Sequence, residues 1–298
     1  MRSEFAISII ISLVFLSLGF LLLHYGQINY GISFFVFLPF IIGYISGNST
    51  IQTISIWGHL ISLSIFFVLL YFGGLEGMVC ILMAIPLIVL AIAFGIVIKY
   101  IIKTFFRPYT EKQNTIKSTI IPFLIFLVFG FAEEQLTKND SYVIDVTSEI
   151  ILPYSPMEVY DHIKSVDTLD AEKPFLMRLD LPIPQKCVLV AEKVGALRTC
   201  YFKGGKIVER ITELKKGEIL KMDIIDYQLN GKKWLGFKEA SYIFEDIGVG
   251  YCKLIRSTTY TSELYPRFYW RTLEKIGIQQ QHEYVFKNLN KDLERMEL

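Results

Sequence analysis

Gly195-Ala196-Leu197-Arg198-Thr199-Cys200-Tyr201-Phe202-Lys203-Gly204-Gly205-Lys206-Ile207-Val208-Glu209-Arg210-Ile211 decides the fold of the second half of this 298-residue chain. Side chains on either side of the glycines alternate in the period-two manner of strands. A Gly-Gly pair between two such runs predicts a two-residue hairpin. A turn centred on Gly204-Gly205 sets Phe202 opposite Ile207 and Cys200 opposite Glu209, with Arg198 on the diagonal to Glu209. Arg198, Cys200 and Glu209 then share a face with Phe202 and Ile207. If that face is the inner one, Arg198 and Glu209 pair, because a buried charge needs a partner.

Working outward, further strands are predicted over 186–192, 218–227, 237–247 and 251–263. Lys215-Lys216-Gly217 and Gly248-Val249-Gly250 supply turns, so the run reads as an antiparallel meander. Upstream, Tyr142–Leu152 is a strand with Ile144, Val146 and Ile150 on one face. Ser155-Pro156-Met157-Glu158 is a capping box with proline at the first helical position. The helix it opens carries Val159, Ile163 and Val166 at helical spacing, and an irregular stretch with Pro174, Pro182 and Pro184 follows. The chain closes on a long helix over 266–297, striped by Ile278, His282, Val285, Leu289 and Leu293.

This order is strand, short helix, antiparallel strands, long helix. With the segments Ile150–Tyr160, Gly195–Phe202, Gly205, Glu209-Arg210-Ile211 and the closing helix, it resembles the helix-grip superfamily of START lipid-transfer domains, polyketide cyclases and related ligand binders, often labelled SRPBCC. The resemblance covers roughly 141–298. It implies an α+β fold in which a curved antiparallel sheet wraps the C-terminal helix and leaves an apolar cavity between them.

Such a cavity would find its polar end in Arg198, Cys200 and Glu209, either orienting a ligand head group or forming a structural ion pair. His282 lies on the inner stripe of the helix, as a hydrogen-bonded core residue or a ligand contact. Trp270, with Tyr265 and Tyr269, opens the same helix and could rim a cavity mouth, meet a membrane interface or pack in a core. Cys187 and Cys200 fall opposite each other if the preceding turn centres on Lys193-Val194; in an oxidising compartment they could then form a cross-strand disulfide. No nucleophile elbow, metal motif or phosphate loop occurs in the sequence. No cofactor is expected, and acid–base work by Glu209 with His282 stays an open alternative.

The first half is written for another solvent. Five apolar segments, 6–23, 30–46, 51–72, 78–102 and 118–132, carry almost no charge. A span needs about 20 apolar residues to cross roughly 30 Å of hydrocarbon. The first, third and fourth meet that, and the second and fifth are shorter. The expected organisation is therefore an α-helical membrane bundle over 1–132, a linker over 133–141 and the ligand-binding domain over 142–298. The loop over 99–117 holds Lys99, Lys103, Arg107, Lys112 and Lys117 against Glu111, which places it, and the N-terminus with Arg2, on the cytoplasmic side. If the fifth segment crosses, the C-terminal domain lies outside the cytoplasmic membrane of a bacterium; if not, it lies inside.

No Asp, Glu, Lys or Arg sits mid-span, which argues against an ion or proton pathway. His24 and His59 are expected near the interface. The spacings Gly43–Gly47 and Ala91–Gly95 allow close helix packing. The net charge of +1 gives no basic excess for nucleic acid. Four cysteines are too few for a disulfide scaffold. The sequence thus predicts a membrane-anchored binder of a hydrophobic or lipid-like small molecule. A cyclase- or dehydratase-like enzyme and a non-enzymatic membrane interaction module are the alternatives.

Overall fold

The computed structural model describes residues 2–46, 52–105, 115–137, 142–179, 181–229 and 234–295. Gly47, the loop residues Arg107, Glu111 and Lys112, and linker positions 138–141 lie outside the described residues. The chain divides into two units: Met1–Glu76, Cys80–Ser141 and Glu263–Trp270 form the first, and Gly77–Val79, Tyr142–Ser262 and Arg271–Leu298 the second.

The first unit is helical: α1 Arg2–His24, a π-helical turn Ser33–Phe37, α2 Leu38–Ser46, α3 Gln52–Phe72, α4 Met78–Phe105 and α5 Thr115–Thr137. Among the described residues, α4 is long and apolar enough to cross a bilayer by length and composition; the apolar helical stretches Ile9–His24, Ser33–Ile45 and Ile56–Phe72 are shorter. The segment predicted over 30–46 is not one regular helix. Pro39 has no N–H and its ring excludes the regular bond to the carbonyl four residues back, and the chain widens into a π turn just before it. Glu133 caps that turn, its carboxylate accepting the Ile32 and Ser33 amides at 2.8 Å each. Gly43 and Gly95 mark where α2 and α4 touch backbone to backbone: a Cβ on either would stand 2.1 Å from a carbonyl of the other helix. His59, expected at the interface, is buried and hydrogen-bonded to Ser12, because a buried polar ring needs a partner.

In the second unit, β1 (Tyr142–Leu152) leads to α6 (Pro156–Lys164), a single turn α7 (Phe175–Arg178), β2 (Pro184–Leu189), β3 (Leu197–Phe202), β4 (Gly205–Lys215), β5 (Ile219–Leu229), β6 (Leu235–Gly248), β7 (Tyr251–Ser262) and α8 (Arg267–Glu294). The capping box forms as read, the Ser155 amide donating to Glu158 at 2.7 Å and the Glu158 amide to the Ser155 hydroxyl. The seven strands make one antiparallel sheet in the order β1-β7-β6-β5-β4-β3-β2. Every second residue of β7, from Cys252 to Ser262, is buried. Of these, Cys252 and Leu254 meet Val285, Phe286, Leu289 and Leu293 of α8 and Val159, Tyr160 and Ile163 of α6 in the main core, while Tyr260 packs with Ile144, Val146, Leu235 and Ile278. The second unit has a helix-grip fold.

The hairpin turn sits one residue earlier than predicted. Lys203-Gly204 is the loop and Gly205 pairs with Phe202, since only Gly204 takes a positive φ (+89°) and Gly205 is free to start the strand. Arg198 therefore stands directly opposite Glu209 instead of diagonal to it, and Cys200 opposite Ile207. The pairing moves by two residues in total, which keeps every side chain on its face.

Candidate functional site

The inward face of the hairpin bounds a small cavity. Its volume is about 40 Å³, and it is walled by strands β2 to β7, by Val166 and Leu169, and by Gln281 and Val285 of α8. Most of the wall is apolar, including Phe202, Ile207, Ile224, Phe237 and Val285; Arg198, Glu209, Arg256, Thr258 and Gln281 are among its polar members.

Arg198 and Glu209 form an ion pair at 2.6 Å, with side chains 3% and 8% exposed. The guanidinium is fully engaged: its Nε donates to the Lys164 carbonyl at 2.9 Å and its Nη2 to the Ile163 carbonyl at 3.1 Å. Both carbonyls belong to the last turn of α6, where acceptors lack helical partners and a cation is favoured. Burial works against the arginine charge, but the Glu209 carboxylate and the Tyr242 hydroxyl together more than offset it, and the arginine pKa lies above the ordinary value. Cys200 is joined to Cys187 by a disulfide, and the two residues pair directly across β2 and β3, the register that a turn centred on Lys193-Val194 would give. Its sulfur lies 3.9 Å from the Glu209 carboxylate. A disulfide sulfur is no thiolate nucleophile.

His282 is fully buried and both ring nitrogens are taken, Nε2 by the Thr258 hydroxyl and Nδ1 by the Ser148 hydroxyl, each at 2.9 Å. It ties α8 to β7 and β1. Burial, helped by the positive charge of Arg256, pushes its pKa down to about 2, so the ring is neutral at any physiological pH. Glu209 and His282 are each held by other partners, and no hydrogen bond joins them into an acid–base pair. Trp270 does not line this cavity. It belongs to the first unit, where its indole N–H donates to the Tyr265 carbonyl at 3.0 Å and its ring packs 4.8 Å from that of Phe35. In that unit the Tyr265 amide donates to the Tyr30 carbonyl and the Tyr269 hydroxyl to the Met83 carbonyl.

The most exceptional member of the site is a residue that no sequence motif singles out. Arg256, on β7, is 8% exposed, and its Nε and Nη1 are buried with no hydrogen-bond partner among the described residues. Its guanidinium carbon lies 5.4 Å from the ring centroid of Tyr242, whose ring also has the Arg198 guanidinium 6.0 Å away. A cation near an aromatic face is attracted to it, but the face satisfies no N–H donor in the plane of the fork. The signal was in the period: Leu254, Arg256, Thr258 and Tyr260 alternate in phase, which puts a charge at an inward position.

No family model matches the chain, and no curated protein matches it. Solved structures do match its second half. Norcoclaurine synthase from Thalictrum flavum, determined in complex with dopamine and hydroxybenzaldehyde, is similar at 14% identity over 54% of this chain and 91% of its own, with a TM-score of 0.37. A START superfamily protein from Mycobacterium smegmatis is similar at 10% identity over 51% and 98%, TM-score 0.39. TTHA0849 from Thermus thermophilus is similar at 16% identity over 50% and 95%, TM-score 0.36.

Proposed function

We propose that this protein is a membrane-anchored binder whose helix-grip domain holds a hydrophobic small molecule. The observation that carries this reading is the cavity itself, apolar over most of its wall, with Arg198, Glu209 and Arg256 among its polar lining. Each buried CH₂ of a ligand contributes about 0.8 kcal/mol, so a short acyl chain suffices for useful binding. As described, the cavity has room for about three water molecules, so a larger ligand enters by widening the gap between sheet and helix. That small volume favours a second reading, an interaction module whose interior holds only water. The anchor is the apolar first half, read as about five spans, with α4 its strongest candidate. The Cys187–Cys200 disulfide supports an oxidising compartment, and hence a second half outside the cytoplasmic membrane.

Native mass spectrometry of the full-length chain, released gently from detergent, separates the two readings. The binder carries a discrete added mass, or acquires one after incubation with fatty acids or sterols. A mass that stays apo under every lipid offered contradicts the binder and leaves the interaction module.

A further inference from the structure

The unanswered guanidinium of Arg256 narrows the ligand. Within the cavity wall, the charge of Arg198 is balanced by Glu209, and Arg198 also spends its donors on two backbone carbonyls. His282, behind Thr258, is neutral. What remains is one positive charge, buried, whose Nε and Nη1 have no acceptor among the described residues. Buried charges are stabilised by pairing, and a guanidinium pairs bidentately with a carboxylate or a phosphate. A single excess charge matches a monoanion better than a phosphate dianion. The wall around it is apolar, with Phe237, Ile224 and Val285 among its members.

We infer that Arg256 is the receptor for the carboxylate of a hydrophobic monoanion, its apolar part lying against the β-sheet wall and α8. This rests on the binder reading above and specifies the head group it takes. Two sources share that chemistry: a fatty acid drawn from the bilayer, or a short free carboxylate that fits the cavity without widening it.

The test uses the full chain in phosphatidylcholine nanodiscs, with decanoate labelled with ¹³C at its carboxyl so that the bound resonance is separated from the lipid-dissolved pool. Methyl decanoate, acetate and unlabelled decanoate are the competitors. A charge-assisted hydrogen bond gives the acid at least about a tenfold advantage over its neutral ester. In Arg256→Gln that advantage collapses to within about twofold while ester binding persists; Arg256→Lys retains part of it. Acetate competing as well as decanoate identifies the free carboxylate as the source, and acetate failing to compete identifies the fatty acid. Equal affinity for acid and ester in the native chain overturns the carboxylate assignment but leaves the binder standing. Binding of neither overturns both. The comparison of acid with ester needs no variant, so it decides the question even if Arg256→Gln does not fold.

Discussion

Two regions of one cavity each bury an arginine, and the protein answers the two charges differently. At the β3–β4 end, Arg198 has a carboxylate and two helix-terminal carbonyls. On the β7 wall, Arg256 has the face of Tyr242 and no acceptor for Nε or Nη1. The two side chains are buried to a similar extent, 3% and 8% exposed, so burial alone does not say what a buried charge is for. A fully satisfied arginine is a joint: it locks α6 to the sheet. An unsatisfied one costs stability in the empty protein and marks a place where something else completes the structure.

The contrast can be broken by substitution, and the largest effect falls on the joint. Glu209→Gln leaves the Arg198 charge buried without its counter-ion and is expected to destabilise the second unit by about 3–5 kcal/mol. Urea denaturation of the full chain in nanodiscs, followed by the sheet signal in circular dichroism, measures this; a loss below about 1 kcal/mol would mean that the pair is only one solution among several. Arg256→Leu carries the opposite sign. Removing an unpaired buried charge is expected to leave stability unchanged or raise it by about 1–2 kcal/mol, because an apolar group of similar reach is at home there. A loss comparable to that of Glu209→Gln would make Arg256 a second joint and remove the reason to seek a ligand anion.

The smallest effect is a pH slope. His282 has a folded pKa of about 2, far below its ordinary value of 6.5, so the unfolded chain takes up the proton first as pH falls. Stability from this group is therefore complete above the unfolded value and is lost on acidification, by up to about 1.4 kcal/mol per pH unit. Between pH 7 and pH 5.5 the native chain should lose about 1.3 kcal/mol on this account, and His282→Gln should flatten that slope. A slope unchanged in the variant would place the titrating group elsewhere.

Much of the second half was legible from the chain because period, turn glycines and caps agree. The strand over 251–263 and the helix over 266–297 came out as Tyr251–Ser262 and Arg267–Glu294, and Cys187 and Cys200 face each other, the register expected only if the turn centred on Lys193-Val194. The hairpin turn was displaced because two adjacent glycines mark a turn without saying which of them takes the positive φ; only Gly204 does. Trp270 could not be placed, since a helical stripe says which residues share a face but not what that face meets. Arg256 was written into the alternation of β7, but a charge at an inward strand position reads as an exception until the wall around it is visible. Spans in the first half stay a matter of length and composition, where α4 alone is clear-cut among the described residues.

The most direct test of ligand binding at an unanswered charge is ligand-linked stability. Denaturation midpoints of the native chain and of Arg256→Leu would be measured in nanodiscs with and without saturating decanoate. At about 100 times its dissociation constant, a ligand bound only to the folded state adds about 2.7 kcal/mol. The account predicts a rise of that order for the native chain and little or none for Arg256→Leu, although the variant starts no less stable. A native chain indifferent to decanoate, or an equal rise in both proteins, would contradict it.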